Sequence, residues 1–230
     1  MKKYSILLLL VCLSTTCFPQ INELGFFVGG VNYIGDVGRT NYIQPNEPGG
    51  TIVYKYNLNP RIALRGTLSS FSLFGDDANS ENAVRKARGF RFKNPINEVS
   101  LGIEYNFFEY DISTAHKTST PYILLQVAAV DYETPRIQNE PGDYRFTRNT
   151  ALAIPFGIGW KTKLYGKLAF AAEISFRYSF TDKLDYSTQE FAEQEFAELD
   201  FGGTSNDWYS FTGISLVYTF GRPPCFADRK

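Results

Sequence analysis

The chain has 230 residues and a formal net charge of −1 from 23 basic and 24 acidic side chains, so no basic field points to nucleic acid. One His and three scattered Cys argue against a His-rich or four-cysteine metal site, and the length allows one domain or two small ones. Aromatic residues are abundant, with 15 Tyr and 20 Phe, and the mean hydropathy of −0.22 resembles that of a soluble protein; the informative signal is the alternation of residues along the chain.

Met1-Lys2-Lys3 is a short basic start, residues 6–13 form an unbroken apolar run, and Ser14, Thr15 and Thr16 supply small residues ahead of Gln20. That order is a secretory signal peptide over residues 1–20, and its apolar run is too short to span a bilayer. Cleavage is expected between Cys17 and Ile21. Acylation of Cys17 is the competing reading, but Ser14-Thr15-Thr16 lacks the usual Leu at −3 and Gly or Ala at −1. Removal of the leader would leave 21 basic and 24 acidic residues, a net charge of −3, with Cys225 as the sole thiol. No later stretch approaches 18 apolar residues, so no transmembrane helix is expected.

Period-2 alternation follows. Val99, Leu101, Ile103, Tyr105 and Phe107 interleave with Glu98, Ser100, Gly102, Glu104 and Asn106, and residues 168–180 repeat the pattern from Leu168 to Phe180. Strands are predicted near 22–34, 50–57, 62–74, 96–108, 122–132, 150–164, 168–180 and 208–220, the first and fifth alternating less cleanly. Links near 35–49, 75–95, 133–149 and 181–207 are long and polar, those at 57–61 and 165–167 are tight, and 109–121 is intermediate. An even strand count with long and short links in turn predicts an all-β, eight-stranded antiparallel transmembrane β-barrel of the OmpX or OmpA type over 21–220, with both termini periplasmic. A soluble sandwich or lipocalin has the same periodicity with inside and outside exchanged; the leader, the links and the aromatic strand ends favour the membrane barrel. Those ends are Tyr33, Tyr54, Tyr56, Phe107, Phe108, Tyr132, Tyr165, Tyr178, Phe180, Trp208, Tyr218 and Phe220, read as an interfacial girdle. The last strand, Gly213 to Phe220, has the pattern by which barrel-assembly machinery recognises clients, with Phe211 where a polar residue is expected.

With apolar residues facing lipid, Lys55, Arg65, Glu98, Glu104, Lys161, Glu173 and Arg177 point into the lumen. Eight strands leave room only for side chains, so these charges are expected to pair as a plug, and a conducting pore is disfavoured. A rim enzyme would need a His beside Ser or carboxylates, and the only His is His116, in the turn assigned to the periplasm. Asp76-Asp77 and Asp131 read as solvated turn formers, and Asp76, Asp77 and Asn79 lack the glycine and terminal Glu of a calcium loop. No catalytic residue, metal or cofactor is expected. Two loops differ in charge. Residues 75–95 carry Arg85, Lys86, Arg88, Arg91 and Lys93, while 181–207 is acidic and repeats Gln-Glu-Phe-Ala-Glu at 189–193 and 194–198, predicting a short acidic helix. Docking of one loop on the other, two separately solvated loops, and a partner-binding cap are all open.

Asn22-Glu23-Leu24-Gly25-Phe26-Phe27-Val28-Gly29-Gly30-Val31-Asn32-Tyr33-Ile34-Gly35-Asp36 resembles the opening of the PorG family, the small outer-membrane barrels of the type IX secretion system of Bacteroidetes. Similar stretches are Tyr56-Asn57-Leu58-Asn59-Pro60-Arg61-Ile62-Ala63-Leu64-Arg65-Gly66, Gly75-Asp76-Asp77-Ala78 and Ile154-Pro155-Phe156-Gly157-Ile158-Gly159. The resemblance implies a non-enzymatic export component that sits in outer-membrane lipid and contacts a periplasmic lipoprotein ring of the PorK/PorN kind. The periplasmic tail over 221–230 then supplies the candidate partner-binding residues Arg222, Pro223, Pro224, Cys225 and Phe226. Pro223-Pro224 stiffens the tail, and Cys225 is either joined to a partner by a disulfide or left as a tolerated thiol. A free-standing OmpX-like barrel acting in adhesion or envelope stability through its outer loops is the alternative.

Overall fold

The alternating segments form eight antiparallel strands in a computed structural model that describes residues 21–111, 118–137, 144–187 and 205–221. They are β1 (Ile21–Ile34), β2 (Glu47–Asn57), β3 (Ile62–Asp76), β4 (Arg91–Asn106), β5 (Ser119–Ile137), β6 (Tyr144–Tyr165), β7 (Leu168–Ser179) and β8 (Trp208–Gly221). Each strand pairs with its neighbours in sequence, and β8 closes on β1. The predicted leader, His116, the acidic repeat at 189–198 and the tail residues Arg222, Pro223, Pro224, Cys225 and Phe226 lie outside the described residues.

The register fixes the barrel's dimensions. Stepping across the sheet from Asn22 through Tyr56, Leu64, Ile103, Leu125, Phe156, Phe176 and Ser210 returns to β1 at Asn32, ten residues further along. At ordinary strand rise and spacing, that stagger tilts the strands roughly 40° from the axis. Even β2, with 11 residues, then covers roughly 28 Å of depth, close to the hydrocarbon thickness of a bilayer.

Parity sorts the side chains. Leu24, Phe26, Ile52, Leu64, Leu68, Val99, Leu101, Ile103, Leu125 and Val127 are exposed on the outside, whereas Glu23, Lys55, Arg65, Glu98, Glu104 and Glu173 are buried within. This is the inverse of a soluble barrel and the arrangement of one solvated by lipid. Outward aromatics end the apolar band: Tyr178 lies 4.9 Å from Trp208 and 5.2 Å from Phe180 between ring centroids at one end, and Tyr105 and Phe107 pack at 5.7 Å at the other. Tyr33 and Tyr132, expected in the girdle, are instead buried inside, because their odd and even positions in β1 and β5 follow the lumen-facing parity.

Two links are shorter than expected. Residues 91–95 extend β4, and α1 (Ala83–Arg88) occupies part of the preceding link, capped by Asn82 and ended by Gly89 in the left-handed region. Most of 133–149 is also strand, a continuation of β5 and β6 beyond their outer neighbours. Polar residues interrupt it, as in the Arg148–Asp131 and Arg148–Glu133 ion pairs, so no apolar alternation marked it in the sequence.

Leu101, 70% exposed on β4, tests the lipid-facing assignment. Leu101→Arg is expected to destabilise the barrel in lipid vesicles by about 2–4 kcal/mol if this position lies near the bilayer midplane. Denaturant unfolding of vesicle-embedded protein measures the change; a shift under about 0.5 kcal/mol would mean that Leu101 meets water.

Candidate functional site

Ile21 and Gly221 are register partners, so both ends of the described chain leave the same end of the barrel, here the terminal end; the long links lie at the loop end. Inside, the terminal half is charged and the loop half apolar.

Glu104 is the hub of the charged half. Its Oε1 accepts from Lys161 Nζ at 2.5 Å and Lys55 Nζ at 2.9 Å, and its Oε2 lies 3.2 Å from Arg65 Nη1. The Arg65 guanidinium also grips Glu173 with two bonds, at 2.6 and 3.1 Å, and Tyr122 donates to the same carboxylate at 2.8 Å. Glu23, buried nearby and held by Asn57 Nδ2, supplies a third anion against the three cations. β1's weak alternation had hidden Glu23, although its odd parity is shared with the inward-facing Phe27 and Val31. Glycine makes room for Tyr122: Gly159 is its register partner, and a Cβ there would come within 2.4 Å of the tyrosine ring. Higher up, Glu98 Oε2 accepts from Tyr209 at 2.8 Å and faces Arg177 at 3.4 Å.

The sequence reading anticipated a plug of paired charges in the lumen and did not say what fills its loop half. The loop half is an aromatic and aliphatic core of Phe27, Val31, Phe71, Leu73, Phe92, Ile96 and Phe211 with their neighbours. This accounts for Phe211, which packs 4.8 Å from Phe27 between ring centroids where a polar residue had been expected.

Both ends are closed by links. At the terminal end Tyr110 turns inward, and the Lys161 ammonium lies 4.5 Å from its ring centroid. Its backbone N–H donates to Pro60, Asn106 bonds both Pro60 and Arg61, and Arg61 reaches back to the Phe107 carbonyl. At the loop end, residues 181–187 dip into the mouth, burying Leu184 and Tyr186, the latter with φ of 70°. Asn94 on β4 holds the Leu184 carbonyl, and Tyr186 donates to the Lys93 carbonyl.

The remaining acids divide by environment. Asp77 is buried, bound by Arg88 at 2.6 and 2.8 Å and by the Gly38 and Phe90 amides. Burial opposes its ionisation, but these donors outweigh burial and hold its carboxyl below the usual range. Asp77 is therefore not the solvated turn former expected from the sequence, and Asp131 pairs with Arg148. Arg85 and Arg88 of α1 donate to the Gly35, Asp36 and Gly38 carbonyls, locking the β3–β4 link onto the β1–β2 link.

Asp185 and Asp207 share the Tyr33 hydroxyl, at 2.7 and 2.5 Å. One hydroxyl hydrogen serves two carboxylate oxygens poorly, and a proton held on one carboxyl and donated to Tyr33 satisfies the trio. The outer oxygens are already taken: Asp207 accepts from the Leu184 amide, and Asp185 from the amide and hydroxyl of Ser187. Burial and then the Asp185 charge push Asp207 well up. Burial, with Asp36 adding to it, raises Asp185 against its Ser187 and Tyr33 bonds. Asp182 is pushed up to about 7 by burial, then by Asp185 and Asp36.

Two outcomes follow. Glu104→Gln leaves three buried cations short of an anion and is expected to cost about 3–5 kcal/mol, read by denaturant unfolding; a loss under about 1 kcal/mol would remove Glu104 from the centre of the network. For the mouth, raised carboxyl values mean that the folded cap binds more protons than the unfolded chain, so its stability falls as pH rises from about 4 through about 7. Amide exchange at Leu184, corrected for intrinsic base catalysis, should accelerate over that range, and Asp207→Asn should flatten the dependence. A Leu184 protection factor independent of pH in the natural chain would disprove the shared proton.

The comparisons agree with this architecture. Residues 2–229 match the family model described as a domain of unknown function, DUF6089. No curated protein matches the chain. Among solved structures, the chain is similar to a major outer membrane protein from Thermus thermophilus at 14% identity and a TM-score of 0.50, covering 88% of this chain and 100% of that one. It is also similar to Ail, the attachment invasion locus protein of Yersinia pestis, solved with the heparin analogue sucrose octasulfate, at 14% identity, a TM-score of 0.48 and the same coverage. The N-terminal β-barrel domain of Pseudomonas aeruginosa OprF gives 14% identity and a TM-score of 0.43 over 88% of this chain and 98% of that one. At 14% identity the likeness to the Thermus thermophilus protein is one of fold, that of an outer-membrane protein. With all but its first and last residues matched, the chain belongs to the DUF6089 family.

Proposed function

We propose that this chain is a non-enzymatic outer-membrane barrel that anchors a periplasmic assembly, as the resemblance to the PorG family implies for type IX secretion. The observation that carries the reading is the filled lumen: paired charges in one half, an aromatic core in the other, and a buried tyrosine closing each end. A lumen filled in this way among the described residues is not built to pass a solute or a polypeptide, which leaves the rims to act. The terminal rim supports an anchoring role, because Pro60, Arg61, Asn106, Phe107 and Tyr110 are cross-bonded into a rigid platform beside the chain ends. In this reading both termini are periplasmic, and residues 222–226 join the platform in binding a PorK/PorN-like lipoprotein ring, with Cys225 able to form an intermolecular disulfide.

A free-standing OmpX-like role in adhesion or envelope stability is the second reading. The clamped cap and the projecting β5–β6 ribbon at the loop end support it. An affinity tag inside 188–204, gentle solubilisation without reductant and mass spectrometry separate the two. Anchoring predicts a stoichiometric periplasmic lipoprotein ring, reduced at least about tenfold by deletion of 222–230. Recovery of the barrel alone from cells with an intact secretion system would overturn it.

A further inference from the structure

Beyond the rim, β5 and β6 continue as a two-stranded ribbon. β4 follows β5 only as far as Asp131, and β7 follows β6 only as far as Ala153. The pairs from Tyr132–Asn149 to Ile137–Tyr144 therefore have no other strand beside them among the described residues. Six such pairs stand roughly 20 Å beyond the barrel wall. Leu152 is the last large apolar outward residue of β6 before this stretch, so the ribbon leaves the lipid-facing band.

The two edges of the ribbon are not alike. On the β5 edge, the Asn94 amide bonds both the N–H and the C=O of Glu133, in place of a missing strand. The next outward position on that edge is Pro135, which has no N–H to offer. On β6, the Leu152 carbonyl accepts from Phe180 on the side away from β5. Alternate residues of an extended strand aim their backbone groups the same way, so Phe146, Arg148 and Thr150 also face outward. No described backbone group bonds to them there, no proline blunts the edge, and their side chains are exposed. One edge is sealed twice over, and the other is left open.

We infer that the open β6 edge at Phe146, Arg148 and Thr150 accepts an extended acidic segment of a partner protein as an added strand. The charge argument rests on Arg145, which is exposed on β6. Arg148 is already satisfied by Asp131 and Glu133, so Arg145 is the cation that a third strand would meet. Exposed Phe146 supplies an apolar contact on the opposite face of the strand. Main-chain bonds provide the affinity and Arg145 the selectivity, as in other strand-addition complexes.

The test uses the full chain in lipid nanodiscs and an alternating Val-Glu octapeptide, with Val-Lys as its charge control. Exchange of the 146, 148 and 150 amides should slow about tenfold with Val-Glu and stay unchanged with Val-Lys. Phe146→Pro, which removes an outward donor together with the ring, should abolish the effect, Phe146→Ala, which keeps the donor, should retain the charge preference, and Arg145→Glu should reverse it. Equal protection by both peptides, or none at millimolar concentration, overturns the proposal. So does protection already present in the free protein and lost on deleting 188–204, because the chain's own acidic segment would then hold the edge.

Discussion

Every backbone N–H and C=O that meets hydrocarbon must find a partner within the protein, and the rest of this structure depends on that demand. A sheet meets it only by closing, so β8 must return to β1, and the ten-residue stagger sets how the closure is made. The closure leaves two visible lapses among the described residues, a register shift between Lys163 and Tyr165 on β6 and a gap in the β5–β6 ladder. Gln126 and Val127 drop out of the β5–β6 ladder where Pro155, on the facing strand, has no N–H to give. The register resumes unshifted on both sides, so the ladder tolerates one missing donor where a slip of one residue would turn every side chain to the wrong face.

Closure creates a second problem, which is what to place inside. Once apolar residues face lipid, strict alternation sends the polar set inward, where charges are costly unless neutralised. The terminal half solves this by matching Lys55, Arg65 and Lys161 with Glu104, Glu173 and Glu23. The loop half instead replaces polar inward residues with Phe27, Phe71, Phe92 and Phe211, at positions that alternation alone would make hydrophilic. That replacement places the hydrophobic core beneath the cap and gives Leu184 and Tyr186 something to pack against.

That substitution also explains what the sequence did and did not reveal. Strand count, pairing order and outward face were legible because lipid imposes period 2 over long stretches, as from Val99 to Phe107. Lys55, Arg65, Glu104 and Glu173 were legible as lumen residues for the same reason. Tyr33 and Tyr132 misled because an aromatic near a strand end has the same composition whether it meets headgroups or the core; parity alone separates them. The bracket of Tyr33 by Asp185 and Asp207 spans 152 and 174 residues of separation, so no local pattern could announce it. The β5–β6 ribbon was read as a loop because polar residues such as Glu133, Thr134, Thr147 and Arg148 interrupt any apolar alternation along it.

The same demand that closes the barrel lapses where the strands enter water. There an unpaired edge can be solvated, so sealing it is no longer obligatory, yet the β5 side is sealed by Asn94 and by Pro135. Solvation acts equally on both edges and cannot explain why only one is closed. Asymmetry of this kind arises when one edge must be kept from pairing while the other is kept able to pair. The cap fits that division: α1 and the 181–187 strap are tied to the barrel by carbonyl-directed arginines, by Asn94 and by the shared carboxyl proton, leaving β6 as the projecting strand with an open edge among the described residues.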